Sequence, residues 1–226
     1  MKTWMSQPVS RNLLRTSLYL VIVSGLSVFI LASIVSLTRI QKTGNPIFIF
    51  LVMMDGASVG GGLWARSVIQ SIAPAIAWRA ALTSGITFGI LVFLSGYSLE
   101  LVEQELFYSN RLNAPGVHFQ FIGLFSAAIF LVVGITATVM TARIANIKQA
   151  GLYGAITAFI SVIAFIGVDL VMYLFGWRVG HIDFPERPTM TTVMGLGLLA
   201  SALAGGTTIG VLIERTFSRA SAAGVE

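Results

Sequence analysis

The chain contains no cysteine. That excludes disulfides, thiolate zinc sites, cysteine-ligated iron–sulfur clusters and cysteine nucleophiles. Histidine is almost as scarce, with His118 and His181 the two in the chain. Charge is the third shortage. Only 10% of the 226 residues are Asp, Glu, Lys or Arg, against about 25% in a soluble domain. So little charge cannot clothe a water-facing surface, so most of the chain needs lipid as its solvent. The net charge of +5 is spread along the chain in ones and twos. No basic block is long enough to follow a nucleic-acid backbone, and no nucleic-acid partner is expected.

What is abundant is hydrophobic sequence, 56% of the chain. A membrane span needs about 20 mainly apolar residues. Six segments qualify: Thr16–Thr38, Pro46–Ala65, Trp78–Leu99, Phe119–Ala142, Gly151–Phe175 and Thr189–Ile213. Each is expected to be a helix, because lipid offers the backbone no hydrogen-bond partner. The expected fold is all-α: one integral membrane domain over residues 1–226, a bundle of six transmembrane helices. The apolar run Ser17–Leu37 exceeds a signal-peptide core of roughly 7–15 residues, so it reads as an uncleaved first span.

Lysine and arginine give the orientation. Lys2, Arg11, Arg15, Arg66, Arg79, Arg143, Lys148, Arg215 and Arg219 fall on one side. Arg39, Lys42, Arg111, Arg178 and Arg187 fall on the other. The richer side is expected to be cytoplasmic, with both termini there, in a cell inner membrane. Trp78, Tyr97, Phe107, Tyr108 and Trp177 sit where interfacial anchors belong. The segment "ELVEQELFYSNRLNAPGVH" is expected to continue the third helix before breaking at "NAPG". Pro188 is placed to start the sixth helix, and "RSVIQSIAPAIA" to lie flat on the inner surface with Pro74 as a breaker. "LTRIQKTG" after the first span resembles "TARIANIKQAG" after the fourth, but "GLWARS" at the end of the second resembles "VLIERT" at the end of the sixth, and that second match breaks the order that a three-plus-three transporter repeat demands.

Two acids fall inside the predicted spans, Asp55 and Asp169. Each costs about 2.5–3.5 kcal/mol at a helix centre on insertion scales. Counted from the outer helix ends, Asp55 lies roughly 13 Å deep and Asp169 roughly 10 Å deep. Matched depth makes them candidates for a shared proton or cation site. Ser58, Gly62 and Arg66 follow Asp55 at helical steps, with Arg66 the candidate inner gate charge. Tyr173 and Ser161 share the face of Asp169, and the Tyr173 hydroxyl is the candidate partner of its carboxylate. Gly60, Gly61 and Gly62 are read as either a helix break that lines a polar path or a close-packing surface. The pairs Gly85–Gly89 and Gly206–Gly210 read as helix-packing motifs.

No enzyme is expected. Ser58 has no intramembrane histidine to act as its base, and no histidine within the predicted bundle can hold a haem. "GASVGGGLWAR" lacks the Gly-Lys-Ser/Thr ending of a phosphate loop. His118 and His181 read as outer-loop residues. Their spacing from Glu100, Glu103, Asp183 and Glu186 is not diagnostic of a metal site. No metal or cofactor is expected. The functional expectation is a permease- or channel-type protein moving a proton, cation or small solute. The alternative is a non-catalytic subunit of a respiratory, photosynthetic or transport complex. The expected partners are the bilayer and other membrane subunits or further copies of the chain.

Overall fold

The computed structural model describes residues 8–38, 46–70, 73–108, 117–176 and 187–222. Among them all regular structure is helical and no strand occurs. The long helices are α1 (Pro8–Thr38), α2 (Pro46–Gln70), α3 (Ala77–Tyr108), α4 (Val117–Val139), α5 (Ala150–Leu174) and α6 (Arg187–Ala222). Prolines stand at the first position of α1 and α2 and the second of α6, where a missing N–H costs nothing. Pro74 opens a short 3-10 turn, Pro74–Ile76, just before α3. α5 ends at Phe175 and Gly176, and Gly176 has φ 82°, a left-handed conformation that glycine adopts without strain.

Over the described residues, four helices are long and apolar enough to cross a membrane: Pro74–Val102, His118–Ile144, Ala150–Leu174 and Val193–Arg219. The outward faces are apolar too, with Leu94, Leu131, Ile163 and Leu170 exposed. Such a surface suits lipid and not water.

Each helix packs on its neighbours in the chain, and α6 packs back on α1. This closes the bundle and puts the start of α1 beside the end of α6. At this terminal end Ala65, Val68, Ile69, Ala80, Met140 and Ile213 fill the centre. Towards the opposite end Phe121, Ile129, Phe165 and Val193 form a second cluster from α4, α5 and α6.

Two local expectations need correction. The stretch from Arg66 does not lie flat: α2 continues to Gln70 and buries Val68 and Ile69 completely. Apolar side chains there gain more from the core than from an interface. α2 is also unbroken through Gly60, Gly61 and Gly62. A Cβ at Gly62 would meet the Ala81 carbonyl oxygen at 2.8 Å, and one at Gly85 would meet the Ser58 carbonyl oxygen at 2.5 Å. The missing side chains let α2 and α3 touch backbone to backbone, which offsets the weak helix propensity. α3 runs on to Tyr108, and "NAPG" lies outside the described residues.

Candidate functional site

α5 carries a row of residues at four-residue steps: Tyr153, Thr157, Ser161, Phe165, Asp169 and Tyr173. Such a row is one of the natural ridges of a helix surface and runs obliquely to its axis. On α5 it starts against α6 and ends against α4. The four central members are buried. The row covers about 30 Å at 1.5 Å per residue, close to the thickness of a bilayer core. All of its members but Phe165 are polar.

The Asp169 end holds the strongest chemistry. His118 stands in the first turn of α4, and its Nε2 lies 3.3 Å from Asp169 Oδ2. Both side chains are nearly covered, at 11% and 10% exposed. With its proton on Nε2, the imidazole donates to the carboxylate. The ring is held by aromatic neighbours, with Tyr173 at 5.1 Å and Phe119 at 5.4 Å between centroids. The other oxygen, Asp169 Oδ1, is buried and has no hydrogen-bond partner among the described residues. A buried carboxylate oxygen left open in apolar surroundings is costly, and it offers an acceptor to a proton, a water or a cation.

Deeper along the row the path is closed. Phe165 is 1% exposed, stacks on Phe125 at 6.2 Å and lies against Gly197. Beyond it Ser161 is fully buried against Gly205, and Ser161 Oγ has no hydrogen-bond partner among the described residues. Thr157 donates to the Tyr153 carbonyl at 2.7 Å. Tyr153 shares a 2.7 Å hydrogen bond with Thr216 of α6.

The row then opens into a cleft lined by Asn146, Lys148, Gln149, Tyr153, Thr216 and Phe217. A π-helical turn, Met140–Ile144, immediately precedes Ala145, the first residue of the cleft lining. Asn146 follows with φ 51°, a conformation that asparagine tolerates better than most residues. Such turns recur at functional sites.

The predicted site residues are distributed differently from the expectation. Asp55 and Asp169 do not form a pair: α2 packs on α1 and α3, α5 packs on α4 and α6, and Asp55 is exposed while Asp169 is buried. Equal depth does not imply contact when two helices occupy opposite sides of a bundle. His118 reaches Asp169 from α4, and the Tyr173 ring packs beside the imidazole. The row Asp55, Ser58, Gly62, Arg66 is no open path. Ser58 and Gly62 turn onto α3, where Gly85 and Gly89 receive them. Arg66 is half-buried with its guanidinium 4.1 Å above the Trp78 ring. Gly60 faces Val23 of α1, and Gly61 faces Phe88 of α3. Gly206 and Gly210 receive Thr16 and Asn12 of α1. His181, Asp183 and Glu186 lie outside the described residues. Among the described residues no group of three or more metal-ligating side chains occurs.

His118 precedes the apolar segment by one residue, so nothing local to it in the sequence separates it from the loop. The short α4–α5 connection held the signal. An antiparallel hairpin that sets Phe125 against Phe165 and Gly134 against Ala158 also sets His118 against Asp169. Glu214 was also unassigned. It is 7% exposed and binds Arg11 at 2.5 Å, with Arg15 at 3.8 Å, tying α6 to α1. No protein-family model, curated protein or solved structure matches this chain.

Proposed function

We propose that this chain is a six-span inner-membrane protein of permease or channel type, with both termini cytoplasmic. It conducts protons or small cations along the buried face of α5. Asp169 and His118 form the outer binding station. Phe165 is the constriction. Ser161, Thr157, Tyr153 and Thr216 continue the path to the cytoplasmic cleft beside Lys148. The observation that carries this reading is the His118–Asp169 pair. It is an ionisable pair inside an apolar bundle, with one carboxylate oxygen left open, and intramembrane ionisable groups mark ion and proton pathways. The orientation rests on the lysine and arginine bias, and the span count on the six apolar segments.

The test is flux into proteoliposomes that contain only this chain, followed with an internal pH dye and with cation-selective dyes. Asp169→Asn and His118→Gln each remove one member of the station. Loss of flux in both variants, with the helical fold retained, supports the reading. Flux indistinguishable from empty vesicles for the unmodified chain sinks it. The alternative is a non-catalytic subunit of a larger membrane complex. It is supported by the exposed acid Asp55 on α2, a group that calls for a partner. In that case the purified chain conducts nothing.

A further inference from the structure

Arg66 takes no part in the α5 path. It lies four residues before the end of α2 and reaches the first turn of α3, where its guanidinium stands 4.1 Å above the Trp78 ring. Close packing of the two helices makes that reach possible: one turn further in, Gly62 leaves room for the Ala81 carbonyl oxygen. The ring covers one face of the guanidinium and leaves its in-plane N–H groups for another acceptor. Arg66 Nε is buried and unpaired, so the outward donors are those of the two Nη atoms. Among the described residues the side chains of Arg66 and Arg79 make no hydrogen bond or ion pair. Arg11 and Arg15 at the same end differ, because they share the buried Glu214. Inward from Trp78 the exposed edge of α3 is apolar. Leu82, Ile86, Ile90 and Leu94 follow it at four-residue steps, all exposed. From Trp78 to Leu94 this strip covers roughly 24 Å, more than the depth of one leaflet of a bilayer core.

We propose that this corner of α2 and α3 binds an anionic phospholipid. The phosphate accepts hydrogen bonds from the free edge of the Arg66 guanidinium. Arg79 supplies a second positive charge, and an acyl chain lies along Leu82, Ile86 and Ile90. Charge and shape both enter. A soluble phosphate matches the cations but leaves the strip uncovered. A zwitterionic lipid covers the strip but brings its own cation towards Arg66. Trp78 already holds the guanidinium in place, so less freedom is lost on binding than for an unrestrained arginine. The exposed Arg143, Lys148, Arg215 and Arg219 at the same end give a general attraction to anionic membranes. The corner adds donors fixed at the head of an apolar strip. The inference rests on the membrane placement of these helices and is independent of conduction.

The test places the full chain in phosphatidylcholine nanodiscs and titrates in phosphatidylglycerol brominated on its acyl chains. Bromine quenches the fluorescence of a tryptophan that it touches, and brominated phosphatidylcholine is the reference. The expected result is stronger quenching by phosphatidylglycerol at equal content, carried by Trp78 and lost in Trp78→Phe. Arg66→Gln and Arg79→Gln each lower the preference by about fivefold. Arg79 is exposed, so its variant reads the site even where Arg66→Gln disturbs packing. Arg143→Gln removes an exposed cation from the same end and leaves the preference unchanged. Equal quenching by the two lipids overturns the proposal. So does a loss in Arg143→Gln as large as in Arg79→Gln, which marks diffuse attraction. Displacement of the lipid by glycerol phosphate alone marks a site for a soluble anion and overturns it. Preferential quenching that survives Trp78→Phe puts the lipid elsewhere and overturns it too. Flux is not a readout here, so failure leaves the α5 path standing.

Discussion

His118 and Asp169 stand 51 residues apart in the chain and 3.3 Å apart in the fold. The pair clamps the first turn of α4 to the last turns of α5 at the end of the bundle away from the termini. Both side chains are nearly covered, so either one has little access to water when its partner is removed. Truncating either one alone is expected to cost about 1–3 kcal/mol, the penalty for stranding a buried polar group. The double variant His118→Ala with Asp169→Ala is expected to lose less than the sum of the two single variants. The coupling should be about 0.5–3 kcal/mol, read from a double-mutant cycle of unfolding in detergent. Additive losses are incompatible with a direct pair.

Phe165 divides the polar row of α5, and its removal separates stability from conduction. Phe165→Ala leaves a cavity between Phe125 and Gly197 and is expected to cost about 3–5 kcal/mol. If the row conducts, the same variant raises basal flux in proteoliposomes. The two measurements move in opposite directions. A variant that is less stable and no leakier argues that Phe165 is packing alone.

The glycines are expected to divide by environment. Gly85→Ala sets a Cβ 2.5 Å from the Ser58 carbonyl oxygen, a backbone atom with no room to retreat. A loss of about 1–3 kcal/mol is expected, as for other overpacked sites. Gly167 is an exposed helical glycine with no atom within 4 Å of an added Cβ. Gly167→Ala is expected to gain up to about 1 kcal/mol through helix propensity. Thermal unfolding of the two variants side by side reads the sign directly.

Glu214 joins α6 to α1 through Arg11 and Arg15. Glu214→Gln keeps the shape and removes the charge. The expected cost is about 1–3 kcal/mol, the penalty for removing one partner of a contact with a buried polar group. It stays below the cost of a fully buried pair because Arg11 remains 41% exposed. Hydrogen exchange should rise first in the opening turns of α1, where the tie is lost. Protection unchanged in α1 sinks this assignment.

The sequence by itself determined that the apolar segments are helices, because an apolar solvent leaves the backbone no alternative; it did not determine their ends, since α1 begins at Pro8, α3 runs on to Tyr108 and α6 to Ala222. It also determined that acids inside those segments are costly, since that cost depends on residue type and depth alone. It marked Gly206 and Gly210 as packing positions, which is where Thr16 and Asn12 settle. Tertiary structure alone decided which groups meet. Depth along a helix can be counted from residue numbers, but rotation about its axis and the identity of its neighbours cannot. For that reason equal depth did not bring Asp55 to Asp169, and the approach of His118 to Asp169 was not legible in the sequence. A side chain's partner is set by how helices are arranged around the bundle and by the angle at which they pack, and both follow from close fitting of whole surfaces.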